Sequence, residues 1–264
     1  MSEEPTVVFV TGTAGAGKTS FVRAFAEWMR TNGYDAGVLN LDPGVEGDDL
    51  EPDVDIRDWV RLSDLQDDYG LGPNGAQVAA ADMIALKVFE VKQALGEVRG
   101  DYLLVDTPGQ IELFAFREAS KAIVEALGGD RSLLAFLFDP GLARTPSGFV
   151  SLLMLSATVE FRFRLPQVNL LSKSDALTPE QLAEVVAWSE EPGRLQDAVQ
   201  AGVPIPDVQL STELFRAIEV MGPIAGVLPV SAKERTGLEQ FYRECQRVVA
   251  GGEDLEPAQE ARSE

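Results

Sequence analysis

One stretch near the amino end constrains this chain more than any other: Gly12-Thr13-Ala14-Gly15-Ala16-Gly17-Lys18-Thr19, which fits the phosphate-binding pattern G-x-x-x-x-G-K-[ST]. Its flanks agree with the spelling. Residues 6–10, Thr-Val-Val-Phe-Val, are β-branched and aromatic and predict a buried parallel strand. Phe21, Phe25, Trp28 and Met29 then recur at spacings of three and four, an amphipathic helix that begins where the loop ends. Small residues there let the backbone around Gly12, Ala14, Gly15, Ala16 and Gly17, continuing to Ser20, close on phosphates at a helix N-terminus. Lys18 then reaches the β- and γ-phosphates, and the Thr19 hydroxyl ligates Mg²⁺.

The rest of the chain alternates apolar runs with helical periodicity. Residues 36–41, 101–105, 132–138, 167–171 and 227–230 read as strands. Residues 77–98, 111–127, 149–163 and the stretch around Leu238, Phe241, Tyr242 and Cys245 read as helices. This predicts an α/β fold, a three-layer α/β/α sandwich of the P-loop NTPase kind with a mostly parallel sheet and helical insertions. Residues 1–250 are expected to form one domain. Within it, 46–75 is an acidic, irregular insertion with a short packed helix near Trp59, Val60 and Leu62, and 178–225 is a helical one. From Gly251 the composition predicts a disordered acidic tail.

Strand ends carry the remaining chemistry. Asp42, in Asp42-Pro43-Gly44, sits where ligands bind at the carboxyl edge of an open sheet, and is a candidate to hold a Mg²⁺-bound water or orient the attacking one. Asp106 ends a hydrophobic strand and opens Asp106-Thr107-Pro108-Gly109-Gln110. It is the expected second Mg²⁺ anchor, with the Gly109 N–H facing the γ-phosphate and Gln110 orienting water. Asp175, in Ser172-Lys173-Ser174-Asp175, can accept from the two donors of a guanine edge while the Lys173 stem covers the ring; adenine offers no such pair. Ser231-Ala232-Lys233 follows a later strand and can meet the guanine O6.

Composition narrows the setting. Forty-three acidic residues face 22 basic ones, for a net charge of −21, and only six of the 22 are lysines. Such a surface repels itself in dilute buffer, while at 1 M salt the Debye length falls to about 3 Å, so a salt-adapted protein is expected. No basic stripe offers itself to nucleic acid. The longest uncharged run, 145–159, is too short for a bilayer, and the acidic first residues do not resemble a leader, so the expected location is cytoplasmic. The lone Cys245 excludes an internal disulfide.

Taken together, the motifs resemble the GPN-loop GTPase family. The resemblance runs through 12–20, Leu41-Asp42-Pro43, Val54-Asp55-Ile56-Arg57-Asp58, 70–75 with its Gly72-Pro73-Asn74, 106–114 and 172–175. Departures are Gly44 where alanine is common, Ser172 in place of asparagine, and the continuation Phe114-Ala115-Phe116-Arg117. The resemblance implies a GTP-hydrolysing homodimer in which the loop Gly72-Pro73-Asn74 enters the partner's site. There Asn74 touches the γ-phosphate, joining Lys18, Asp42 and Gln110 as catalytic residues. It also implies a protein client, since eukaryotic relatives are linked to RNA polymerase assembly. Two other classes stay open on the residues alone: a P-loop kinase or ATP-dependent enzyme, and a module that holds nucleotide without turning it over.

Overall fold

The computed structural model describes residues 5–44, 51–98, 100–202 and 226–249. Seven strands form one sheet in the order β3-β2-β4-β1-β5-β6-β7, every pair parallel: β1 Thr6–Gly12, β2 Ala36–Asn40, β3 Val54–Asp55, β4 Tyr102–Asp106, β5 Ser132–Phe138, β6 Gln167–Leu171 and β7 Val227–Pro229. Parallel strands buried on both faces must be apolar on both faces. In β1, Val7 and Phe9 enter one core while Val8 and Val10 enter the other; in β5, Leu134, Phe136 and Phe138 oppose Leu133, Ala135 and Leu137. This is the physical content of the three layers.

On one face α1 (Lys18–Thr31) packs with α11 (Leu238–Val249), where the rings of Phe21 and Phe25 meet Phe241 at 5.3 and 4.9 Å between centroids. The other face carries most of the remaining helices: α2 (Leu62–Tyr69), α3 (Pro73–Leu86), α4 (Val88–Leu95), α5 (Ile111–Ala115), α6 (Glu118–Leu127), α7 (Pro140–Ala143), α8 (Pro146–Phe163), α9 (Pro179–Glu190) and α10 (Pro192–Gly202). Thr178 starts α9 with a full capping box to Gln181, and Pro179 occupies the first turn.

Several expectations change in detail. The helix expected over 77–98 is two, broken at Lys87. The one expected over 111–127 breaks at Phe116 and Arg117, where Arg117 turns extended and its guanidinium reaches Asp82 on α3. The packed helix expected around Trp59 is instead a 3₁₀ turn, Ile56–Asp58, followed by α2. The insertion 46–75 also contributes β3, a strand of only two residues. Gly72-Pro73-Asn74 is the start of α3, with Gly72 as N-cap and Pro73 in the first turn, rather than a free loop. The stretch 203–225 and the tail 251–264 lie outside the described residues.

Candidate active site

Strand order brings the two phosphate motifs together. β1 and β4 are neighbours, with Val10 opposite Asp106, so the loop after β1 and the segment after β4 leave the sheet side by side. Gly12 ends β1 with φ +149, and a Cβ there would stand 2.7 Å from the Leu137 carbonyl oxygen. Gly17 takes the left-handed conformation at φ +92 and caps α1. Both positions need glycine because the backbone must turn tightly against β5 and then enter a helix.

Lys18 is buried, and its Nζ donates to three carbonyl oxygens, those of Gly12 at 3.2 Å, Thr13 at 3.2 Å and Gly109 at 2.9 Å. Burial lowers its pKa from the ordinary value, opposed by the charges of Asp106 and Asp42. The ammonium thus bridges the first loop and the 106–110 segment. Thr19 Oγ1 donates to Asp106 Oδ2 at 2.7 Å. Asp106 is fully buried, and burial pushes its pKa up to about 7; the Thr19 bond and Lys18 oppose this while the Asp42 charge adds to it. Its other oxygen, Oδ1, is buried with no hydrogen-bond partner.

Asp42 accepts from the Gly109 N–H at 2.8 Å and the Gly44 N–H at 2.9 Å. Burial raises its pKa in spite of those two bonds and of nearby Lys18 and Arg57. The Gly109 N–H expected for the γ-phosphate is therefore held by Asp42. A cleft of about 170 Å³ opens beside these groups, lined among others by Ala14, Asp42, Gln77, Pro108, Gly109 and Gln110. Gln110 is exposed at the N-cap of α5. Sequence reasoning had no role for Gln77, one turn beyond Asn74.

These residues fit a magnesium ion. The set Thr19 hydroxyl, Asp106 and Asp42 is all oxygen, and the orphaned Asp106 Oδ1 has the unmet demand for a cation or its water. Among the described residues no group of three or more carboxylate, thiol or imidazole side chains gathers as a complete metal cage. Mg²⁺ seldom uses one; it takes one or two protein oxygens and completes its shell with phosphates and water.

The base motifs also meet. Lys173 adopts a left-handed backbone at φ 48, which carries its side chain over the phosphate loop: Nζ donates to the Gly15 carbonyl and pairs with Asp139 at 3.2 Å. A Cβ on Gly17 would lie 3.3 Å from Lys173 Cε. Asp175 Oδ1 accepts from Ser231 Oγ at 2.6 Å, and Lys233 stands 4.0 Å from its Oδ2. Ser172 is buried and donates to the Phe138 carbonyl at 3.0 Å, so it braces the strand end and does not face the open side. Ser20 is exposed on the first turn of α1, near Ala232 and Lys233 in a second cleft.

Gly72, Pro73 and Asn74 are exposed, and Asn74 lines neither the cleft beside Asp42 nor the larger one of about 770 Å³ next to it, which reaches Pro73. Within its own chain Asn74 is not joined to the phosphate loop.

Residues 10–251 match a family model described as "Conserved hypothetical ATP binding protein". A GPN-loop GTPase of Pyrococcus abyssi is 31% identical over 89% of this chain and 93% of its own length. The chain belongs to the GPN-loop GTPase family. Family relatives extend to GPN-loop GTPase 3 of Eremothecium gossypii, 28% identical over 95% of this chain and 94% of that protein. A crystal structure of an apo GTPase from Pyrococcus abyssi superposes with a TM-score of 0.81 at 27% identity, covering 92% of this chain and 97% of that one. The family model speaks of ATP and the relatives of GTP, so the choice of base rests on Asp175 and its neighbours.

Proposed function

We propose that this protein binds GTP with Mg²⁺ and hydrolyses it to GDP and phosphate as a homodimer, acting as a nucleotide-dependent switch. The observation that carries this reading is the convergence of Lys18, Thr19 and Asp106 at the ends of two adjacent strands, with Asp175 and Ser231 paired at the base end. The ammonium of Lys18, which now donates to three carbonyls, turns to the β- and γ-phosphate oxygens. Thr19 would hold Mg²⁺ through its hydroxyl oxygen, a role compatible with its donation to Asp106, and the Asp106 and Asp42 carboxylates would support it from beside the site. The chemistry the ion would supply when bound is neutralisation of the charge that develops on the phosphates. Asp42 and Gln110 orient the water that attacks the γ-phosphorus as the bond to the β–γ bridging oxygen breaks.

Asn74 acts on the partner's nucleotide in this reading. Its exposure and its separation from its own phosphate loop support that assignment, and two-fold symmetry makes the exchange reciprocal. The one continuous seven-stranded sheet supports reading 1–250 as a single domain. No described helix is long and apolar enough to cross a membrane. The charge of −21 supports a salty setting. A protein client reads the switch, and polymerase assembly is the role the family likeness points to.

The test is phosphate release from GTP and ATP side by side, with and without Mg²⁺, in molar salt. Turnover confined to GTP with Mg²⁺ is the expected result. Equal use of ATP favours the ATP-dependent reading, and binding without release reduces the protein to a nucleotide-holding module.

A further inference from the structure

Asn40 closes β2 and is completely buried, a costly place for a carboxamide unless every polar atom is used. Register explains its neighbours. It lies opposite Asp106 of β4 on one side and Asp55 of β3 on the other, so three polar residues end three adjacent strands. Its Oδ1 accepts from the Asp42 N–H at 2.9 Å, and its Nδ2 donates to the Asp42 carbonyl at 3.1 Å and to Asp55 Oδ1 at 3.0 Å. The side chain therefore grips both backbone polar groups of Asp42. Asp55 is gripped in turn by Arg57, whose backbone N–H donates at 2.9 Å and whose guanidinium pairs at 2.6 Å. Burial alone raises the Asp55 pKa, but the bonds from Arg57 and Asn40 outweigh it and hold the carboxylate below its ordinary value.

We propose that Asn40 is the positioning residue for Asp42, and that Asp55, clamped by Arg57, fixes the Asn40 carboxamide in the orientation this requires. The proposal rests on the reading of Asp42 as the group that orients water. A polar chain of this kind transmits angular constraint: with both its N–H and its carbonyl held, Asp42 can keep its carboxylate on the Gly109 N–H and has little freedom to swing. Displacement of a reacting or orienting group by about 1 Å costs on the order of 10²-fold in rate.

The test compares Asn40→Ala, Asn40→Asp, the double variant Asn40→Asp/Asp55→Asn, Asp42→Ala and Asn40→Ala/Asp42→Ala. Each is read for GTP turnover, GDP affinity and melting temperature. Asn40→Asp sets two buried carboxylates against each other and should lower kcat at least tenfold, with GDP affinity within about threefold of the parent. In the double variant one amide and one carboxylate again face each other; the clash of charges is gone but no donor reaches the Asp42 carbonyl, so kcat should recover at least fivefold over Asn40→Asp and stay below the parent. Asn40→Ala should lower kcat in the parent but add nothing to Asp42→Ala, because it acts only through Asp42. Additive losses in that pair, no recovery in the double variant, or kcat and GDP affinity falling together would overturn the proposal. A parent protein with no GTP turnover instead overturns the function on which it rests.

Discussion

Replacing Asp106 by asparagine should stabilise the nucleotide-free protein above neutral pH while abolishing turnover. The magnitude follows from the burial of Asp106. Its pKa rises from an ordinary 3.8 to about 7 in the fold. Between those values the unfolded chain has released the proton and the folded chain still holds it. Stability then falls as pH rises, because the native state binds more protons. Roughly three units at about 1.4 kcal/mol each amount to about 4 kcal/mol, and relaxation with water entry reduces this to about 2–4 kcal/mol. Asparagine is isosteric, keeps an oxygen to accept from Thr19 and does not titrate. The variant should match the parent near pH 4 and melt about 5–15 °C higher at pH 8. Thermal melts of both proteins in fixed molar salt, free of nucleotide and divalent ions, provide the comparison. The chain has no histidine, and its other carboxylates, Asp42 with its raised pKa among them, are common to both proteins, so the difference between the two reports Asp106. Parallel melting curves for the two proteins from pH 4 to 8 would refute the reasoning, since Asp106 would then be ionised in the fold without cost.

Asp175→Asn should weaken GTP tenfold to a hundredfold and improve xanthosine triphosphate, because the amide replaces one of two acceptors with a donor and so matches xanthine's one donor and one acceptor; competition binding measures both. Mixing inactive Lys18→Ala with inactive Asn74→Ala should restore about a quarter of parental activity, since half of randomly paired dimers have one complete site. No recovery would place Asn74 in its own chain's chemistry. Raising KCl from 0.1 to 2 M should tighten the dimer and raise the melting temperature by screening −21 per chain. Sedimentation and melting at the two salts settle the matter, and identical behaviour at both would remove the case for salt adaptation.

The phosphate loop, Asp42, the 106–110 segment and the base motifs were legible in the sequence because each is a short run whose chemistry depends on bonded neighbours. The layered fold was legible for a related reason: strands such as 132–138, apolar at every position after Ser132, have only one kind of place to go. Helix ends were not. Lys87, Phe116 and Arg117 carry no strong breaking signal, and the second break coincides with the contact between Arg117 and Asp82, 35 residues away. Nor could the sequence announce β3, since two residues become a strand only by pairing with Leu39 and Asn40.

The sequence by itself determined which residues are candidates for phosphate, metal and base, because residue type and spacing within each strand-and-loop unit suffice for that. Only the tertiary structure decided that Asn40, Asp55 and Asp106 end adjacent strands in register, that Asp42 holds the Gly109 N–H, and that Asp106 is buried deeply enough for its pKa to rise to about 7. Those facts depend on strand order and on the solvent removed when the layers close, and neither quantity is a property of any local stretch of chain.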